Sequence, residues 1–188
     1  MVWWLIAAAL VLGYPGSQRF WGGRVGSLFI GLLILLPAWQ ALVVLKQWPQ
    51  GNWLIVAVMV LVWAADIGAY FSGKTFGRRK LAPRVSPGKS WEGLIGGLII
   101  SLLISVGVGL YQDWSPRALV LALLGAALVV VISVVGDLTE SMFKRSSGIK
   151  DSSQLLPGHG GVMDRIDSLT AAIPVFTVLL WLAGWGAW

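Results

Sequence analysis

The sequence contains no cysteine and a single histidine among its 188 residues, and only 12% of the residues are charged. The absence of cysteine excludes disulfides, zinc sites built on thiolates and thiol nucleophiles. So few charges, against 57% hydrophobic residues, exclude an ordinary water-soluble domain and indicate an integral membrane protein. Few residues lie outside apolar runs to build a nucleic-acid-binding groove, so no nucleic-acid partner is expected.

Apolar segments of the chain predict an all-α fold, a polytopic membrane bundle of about six transmembrane helices that forms a single domain over residues 1–188. The six segments are 2–12, 25–45, 53–70, 94–110, 118–135 and 169–188. The first is short for a membrane span, which predicts a short or tilted helix. Gly93 and Gly97 are four residues apart, a spacing that lets two helices approach closely.

The basic residues predict how the bundle is oriented. With six crossings, the loops 13–24, 73–92 and 138–167 lie on one side of the membrane and contain twelve of the fourteen lysines and arginines. By the positive-inside rule, these loops are predicted to be cytoplasmic, with both termini outside. The net charge of +6 is therefore concentrated on one side, which favours lipid headgroups or nucleotide phosphates as partners.

Three aspartates lie where the segment 133–167 leaves and re-enters the apolar runs. Asp137 ends one run, whereas Asp164 and Asp167 are three residues apart at the start of the next predicted helix, on one face and near the positive end of its dipole. Carboxylates in this arrangement are suitable ligands for Mg²⁺. The alternative is a charge pair stabilised by the helix dipole and Arg165, but ionisable groups at membrane-entry depth are by default functional.

Several polar residues near these aspartates are candidate phosphate ligands. The glycines of residues 157–161 would let main-chain N–H groups approach a phosphate, although an ordinary turn explains them equally well. His159 could contact a phosphate, but an isolated loop histidine is more often structural. Ser86 and Lys89 could supply a hydroxyl and a cation. Asp66, inside the third segment, could form a structural ion pair or contact a substrate.

These residues together resemble the long signature of the phosphatidate cytidylyltransferases, the CDP-diacylglycerol synthases, and are most similar to the bacterial members. Residues 141–145, Lys150, Asp151 and residues 156–167 carry the signature, and a second similar block extends over residues 66–92. Members of this family usually have several more membrane helices at the N-terminus, and this sequence begins where those helices would already have ended.

The resemblance implies transfer of a cytidylyl group from CTP to phosphatidate, which releases pyrophosphate and gives CDP-diacylglycerol for phospholipid synthesis. The implied active site combines segments 66–92 and 133–167 at the cytoplasmic face of the bacterial plasma (inner) membrane. The predicted catalytic residues are Asp137, Asp164, Asp167, Lys144 and Arg145. The predicted substrate-binding residues are Asp66, Ser86, Lys89, Lys150, Asp151, His159, Gly160, Gly161 and Arg165.

The predicted cofactor is Mg²⁺, held by Asp137, Asp164 and Asp167, and a second cation such as K⁺ is left open. Membrane lipids are further expected partners. A homodimer is suggested by the resemblance and by Gly93 and Gly97.

Four other functions are alternatives to this one. A CTP-dependent lipid kinase would transfer only the γ-phosphate, whereas a CDP-alcohol phosphotransferase would need a DxxDGxxAR sequence that this chain lacks. A small cation-binding transporter would more naturally place its acids near the middle of the membrane. A non-catalytic subunit is the remaining alternative.

Overall fold

The chain folds into a bundle of helices with one small β-hairpin; the computed structural model describes residues 2–158 and 160–184. The elements in chain order are α1 (Val2–Leu12), α2 (Gln18–Trp21), α3 (Arg24–Gln47), α4 (Gly51–Phe76), β1 (Lys80–Ala82), β2 (Ser86–Ser90), α5 (Trp91–Tyr111), α6 (Pro116–Ser146) and α7 (Met163–Leu182). Five helices, α3 to α7, are long and apolar enough to cross a membrane. The prediction of an all-α, polytopic membrane bundle is therefore confirmed.

Helix α1 differs from the first predicted span. It has 11 residues, which corresponds to about 16 Å, whereas the hydrocarbon core of a bilayer is about 30 Å thick. Trp4, Ala7 and Val11 are buried, and this helical face packs against α6. The described residues thus contain five long spans rather than six, and the placement of both termini outside stays a prediction.

Helix α6 is longer than the predicted fifth span. It continues to Ser146, so the interpretation of residues after Asp137 as a loop was wrong. The helix continues because Leu138, Thr139 and Met142 form a buried stripe along one face. It ends just before Gly148, which has a φ of +70°. Asp137, Lys144 and the residues between them are therefore held on a rigid helix.

Helices α4 and α5 pack closely because glycines line their contact. A Cβ added at Gly97 would lie 2.6 Å from the carbonyl oxygen of Ala65, and one at Gly68 would lie 2.9 Å from that of Gly96. The buried Ser101 hydroxyl donates a hydrogen bond to a carbonyl of α4. The close approach predicted for Gly93 and Gly97 thus occurs within one chain, and these glycines give no support to a homodimer.

The hairpin of β1 and β2 was not predicted. Its two strands are antiparallel, and the buried Ser90 at its end caps α5 by accepting a hydrogen bond from the Gly93 N–H at 3.1 Å. Strand β2 also contacts α6. The hairpin therefore carries Ser86 and Lys89 over the end of the bundle where α6 finishes and α7 begins.

Helix α7 lies at the centre of the bundle. It packs against α3, α4 and α6, and Ala171, Ala172 and Val175 are fully buried. Small side chains on this face let the neighbouring helices approach closely. The first turns of α7, which contain Asp164 and Asp167, are consequently surrounded by the ends of other helices.

Replacing Gly97 by valine should destabilise the bundle, because the new side chain would overlap the backbone of α4. Gly107→Val is a matched control, since a Cβ at Gly107 has no atom within 4 Å. We expect the free energy of unfolding of Gly97→Val to be lower than that of the control by about 1–3 kcal/mol. Denaturant titration in detergent micelles measures this difference, and equal unfolding midpoints would contradict the packing described here.

Candidate active site

Helices α6 and α7 bring two carboxylates together at one mouth of the bundle. A Cβ added at Gly136 would lie 2.6 Å from the Cβ of Ala171 and 3.0 Å from the carbonyl oxygen of Asp167. Only glycine permits this approach, which places Asp137 beside Asp167. The two side chains are close enough to interact electrostatically. Asp137 and Asp167, two of the three aspartates predicted to converge, therefore lie on neighbouring turns of α6 and α7, and their binding of a metal stays a prediction.

Lys89 of β2 reaches the same place. Its ammonium group forms an ion pair with Oδ2 of Asp137, and both side chains are about three-quarters buried. The hydroxyl of Ser141, one turn further along α6, donates a hydrogen bond to Oδ1 of Asp137 at 3.2 Å. Asp66 also lies near enough to interact electrostatically with Lys89 and Asp137. The structure thus joins the two predicted segments into one site.

Glu140 is an acidic member of the site that sequence reasoning missed. It lies one turn after Asp137 on α6, and both of its carboxylate oxygens are buried without a hydrogen bond. Among the residues that the structure describes, it forms an ion pair with Lys144 alone, whose Nζ lies 3.4 Å from Oε1. The spacing of three residues from Asp137 was a usable signal, because such residues share a helix face. Glu140 adds negative charge where few hydrogen-bond donors are available.

Asp164 has a different environment from the other aspartates. Lys144 donates a hydrogen bond to its Oδ1 at 2.6 Å, and the Lys144 and Asp164 side chains are only 13% and 10% exposed. Its Oδ2 accepts hydrogen bonds from the Ser152 N–H at 2.9 Å and the Gly161 N–H at 2.7 Å. The carboxylate therefore holds the loop between α6 and α7 against the ends of both helices.

Two glycines let this loop wrap around Asp164. Gly160 has a φ of +77°, and a Cβ there would lie 2.8 Å from Oδ2 of Asp164. A Cβ at Gly161 would lie 2.0 Å from the Ser152 hydroxyl oxygen. The sequence predicted that glycine N–H groups here contact a phosphate. In the structure, the N–H of Gly161 instead donates to the protein's own carboxylate.

Arg145 links the hairpin to the end of α6. Its Nε donates a hydrogen bond to the carbonyl oxygen of the buried Val85 at 3.2 Å, and Nη1 donates to that of Ile149 at 3.4 Å. These contacts position the hairpin that carries Lys89. The predicted contact of Arg145 with substrate stays a prediction.

The remaining predicted residues lie around this centre. Lys150 and Asp151 are exposed in the loop after α6, Arg165 is exposed on the first turn of α7, and Ser86 is partly buried at the start of β2. Their predicted contacts with substrate stay predictions. His159 lies outside the described residues.

The residues at this mouth fit a divalent cation only in part. Within residues 2–158 and 160–184, no group of three or more acidic or histidine side chains could hold a metal ion. The predicted set of three aspartates is not assembled, because Asp164 is bound to Lys144 and the loop. Asp137 and Asp167 remain, and Mg²⁺ commonly binds through one or two carboxylates together with water and phosphates. The buried carboxylate oxygens of Glu140, which within the described part of the chain form no hydrogen bond and contact only the Lys144 ammonium group at 3.4 Å, favour a further cation nearby.

The fold and this site define a polytopic membrane protein with a cluster of carboxylates and lysines at one mouth of its helical bundle. The chain belongs to the cytidylyltransferase family, whose model matches residues 1–183.

Named relatives of this chain are phosphatidate cytidylyltransferases. It is 75% identical over 187 residues to that of Pseudomonas aeruginosa, covering 100% of this chain and 69% of the relative. The relative from Haemophilus influenzae is 50% identical, covering 93% of this chain and 64% of the relative. The relative from Synechocystis is 45% identical, with coverages of 72% and 46%. The chain thus spans between about half and two thirds of the length of these relatives.

Replacing Asp164 by asparagine should loosen the loop after α6, because Lys144 would lose the nearer of its two carboxylate partners and two N–H groups would lose a charged acceptor. Hydrogen bonds to charged groups contribute about 1.5–3 kcal/mol, so amide exchange of Ser152 and Gly161 should accelerate by about tenfold or more. Hydrogen exchange read by mass spectrometry measures the change. The control is Asp151→Asn, an exposed carboxylate in the same loop; equal exchange in the two variants would contradict the role given to Asp164.

Proposed function

We propose that this chain transfers a cytidylyl group from CTP to phosphatidate, releasing pyrophosphate and forming CDP-diacylglycerol. The observation that carries the proposal is the meeting of Asp137, Asp167 and Lys89 at one mouth of the membrane-spanning helices. The family and the names of the relatives support it. We further propose that the helices cross the inner membrane of a bacterium. The mouth that contains the site would then face the cytoplasm.

The reaction joins two anionic molecules. A phosphate oxygen of phosphatidate attacks the α-phosphorus of CTP, and the bond from that phosphorus to the oxygen bridging to the β-phosphate breaks as pyrophosphate leaves. The attacking oxygen is already ionised near pH 7, so no side chain has to remove a proton from it. The protein's task is therefore to neutralise charge and to align the two phosphates.

In this proposal, Asp137 and Asp167 hold Mg²⁺, which when bound supplies positive charge to the phosphates. The ammonium group of Lys89 is paired with Asp137. When substrate binds, this ammonium group would bind a substrate phosphate in place of the carboxylate. Lys144 keeps Asp164, and with it the loop between α6 and α7, in position. A second cation such as K⁺ is also part of the proposal, with the carboxylate of Glu140 as the neighbouring anion.

A cleft between α3 and the α6–α7 pair offers a path for the lipid. This cavity of about 170 Å³ is lined by Gly31 and Leu35 of α3, Gly136 and Glu140 of α6, and Thr170 of α7. It extends along the spanning part of α3 and reaches Glu140, one helical turn from Asp137. A lipid chain lying there would place its phosphate near the carboxylates while its carbons stay among apolar side chains.

Asp137→Asn and Asp167→Asn should each lower the formation of CDP-diacylglycerol by a factor on the order of 100 or more, because each removes charge from the place where phosphates meet a metal. The control is Asp113→Asn, an exposed carboxylate between α5 and α6. The assay follows CTP labelled in the cytidine, with membrane insertion of each variant checked by fractionation.

The same assay separates the alternatives. Cytidine label in the lipid supports the proposed reaction, whereas lipid labelled only from γ-phosphate identifies a lipid kinase. Near-normal turnover by both site variants would refute the roles of Asp137 and Asp167.

Filling the cleft should slow the reaction of long lipids more than that of short ones. A Cβ at Gly31 has no atom within 4 Å, so a side chain can start there, and the remaining carbons of Gly31→Leu would occupy the cleft. Excluding two methylene groups costs about 1.6 kcal/mol, which predicts about a tenfold loss in kcat/KM with dioleoyl phosphatidate and little loss with dihexanoyl phosphatidate. Gly107→Leu is the control, and an equal loss with both lipids would exclude the cleft as the path.

A further inference from the structure

A second concave surface lies beside the end of α4 and the start of α5. This groove has a volume of about 460 Å³, and Phe76, Trp91 and Ile95 form its apolar walls. The three side chains are 65%, 50% and 54% exposed. Because α4 and α5 span the membrane, these walls lie where the hydrocarbon region gives way to the headgroups.

Two neighbouring arginines, Arg78 and Arg79, lie at the polar side of the groove. Glu92 fixes their backbone: its Oε2 accepts a hydrogen bond from the Arg78 N–H at 3.1 Å, and the Arg79 N–H donates to the same carboxylate at 3.2 Å. Within the described residues, neither guanidinium group forms an ion pair with an acidic side chain within 4 Å. Glu92 attracts Arg79 at longer range, so two positive charges face one negative charge whose oxygens already accept backbone hydrogen bonds.

We propose that this groove binds one anionic phospholipid of the surrounding membrane, with Arg78 and Arg79 on its phosphate and its acyl chains against Phe76, Trp91 and Ile95. Guanidinium groups suit phosphate because they donate two parallel hydrogen bonds to it. Tryptophan at the interface contacts both the glycerol region and the upper carbons of the chains.

The arrangement favours an anionic lipid over a zwitterionic one. A zwitterionic headgroup brings an ammonium group, and the two arginines would repel it. The carboxylate of Glu92 does not offset this repulsion well, because it already accepts hydrogen bonds from two backbone N–H groups. Phe76, Arg78, Arg79, Trp91 and Glu92 lie in the segment 66–92 that the resemblance assigns to the active site, but none of them is among the residues proposed above to bind Mg²⁺, CTP or phosphatidate. The test therefore measures retained lipid and not turnover.

The test compares lipids that stay bound to the purified chain. The protein is taken from nanodiscs containing equal amounts of phosphatidylglycerol and phosphatidylethanolamine, and native mass spectrometry counts each retained lipid. The variant is R78Q/R79Q. The matched control is K80Q/R84Q, which removes two exposed cations of the neighbouring hairpin that do not line the groove. The single variant Arg79→Gln is included in case the double variant does not fold.

Each basic residue near an anionic lipid contributes about a fivefold preference, so R78Q/R79Q should lower the ratio of retained phosphatidylglycerol to phosphatidylethanolamine by about 25-fold. Arg79→Gln should lower it by about fivefold, and K80Q/R84Q should leave it nearly unchanged. An equal loss in both double variants would show attraction by general surface charge and would overturn the proposal. An unchanged ratio in R78Q/R79Q, or in Arg79→Gln if only that variant folds, would overturn it as well.

Discussion

The approach of α6 to α7 at Gly136 is the constraint on which the site depends. A side chain at this position would meet Ala171 and the backbone of Asp167, so the helices could not lie this close with any other residue. Their approach places Asp137 and Asp167 side by side, with Glu140 one turn away. Like charges in a partly buried place repel one another unless a cation lies between them. Within the described residues, Lys89 is the cation paired with Asp137.

The charged residues around this mouth divide into two groups with different tasks. The first group holds the loop and the hairpin in place. Lys144 of α6 binds Asp164 of α7, and Asp164 accepts a hydrogen bond from the backbone of the loop. Arg145 donates a hydrogen bond to the backbone between β1 and β2. Asp137, Asp167 and Lys89 make fewer contacts with the protein, and they are the groups that we propose bind the metal and the substrate. A buried ion pair such as Lys144 with Asp164 adds little net stability, but breaking it leaves an uncompensated charge. We therefore infer that the pair of Lys144 with Asp164 fixes how the loop is arranged and adds little to the free energy of unfolding.

The sequence predicted the class of fold well, because a long apolar segment in a membrane forms a helix, in which the backbone groups bond to one another. It also predicted that two distant segments meet. It did not predict the end of α6, since the buried face of Leu138, Thr139 and Met142 overrides the polar residues between them. Nor did the sequence predict that Asp164 forms an ion pair with a lysine while Asp167 does not. Both lie at the start of one helix, and only the position of Lys144 on α6 decides which of them is paired.

The central claim is that Asp137 and Asp167 share one divalent cation when nucleotide is bound. Electron paramagnetic resonance of Mn²⁺, titrated into the chain with a non-hydrolysable CTP analogue, tests it without relying on turnover. The account predicts one Mn²⁺ bound per chain, with binding weakened by more than about tenfold in either Asp→Asn variant. Mn²⁺ binding that is the same in both variants as in the unaltered chain would contradict the account.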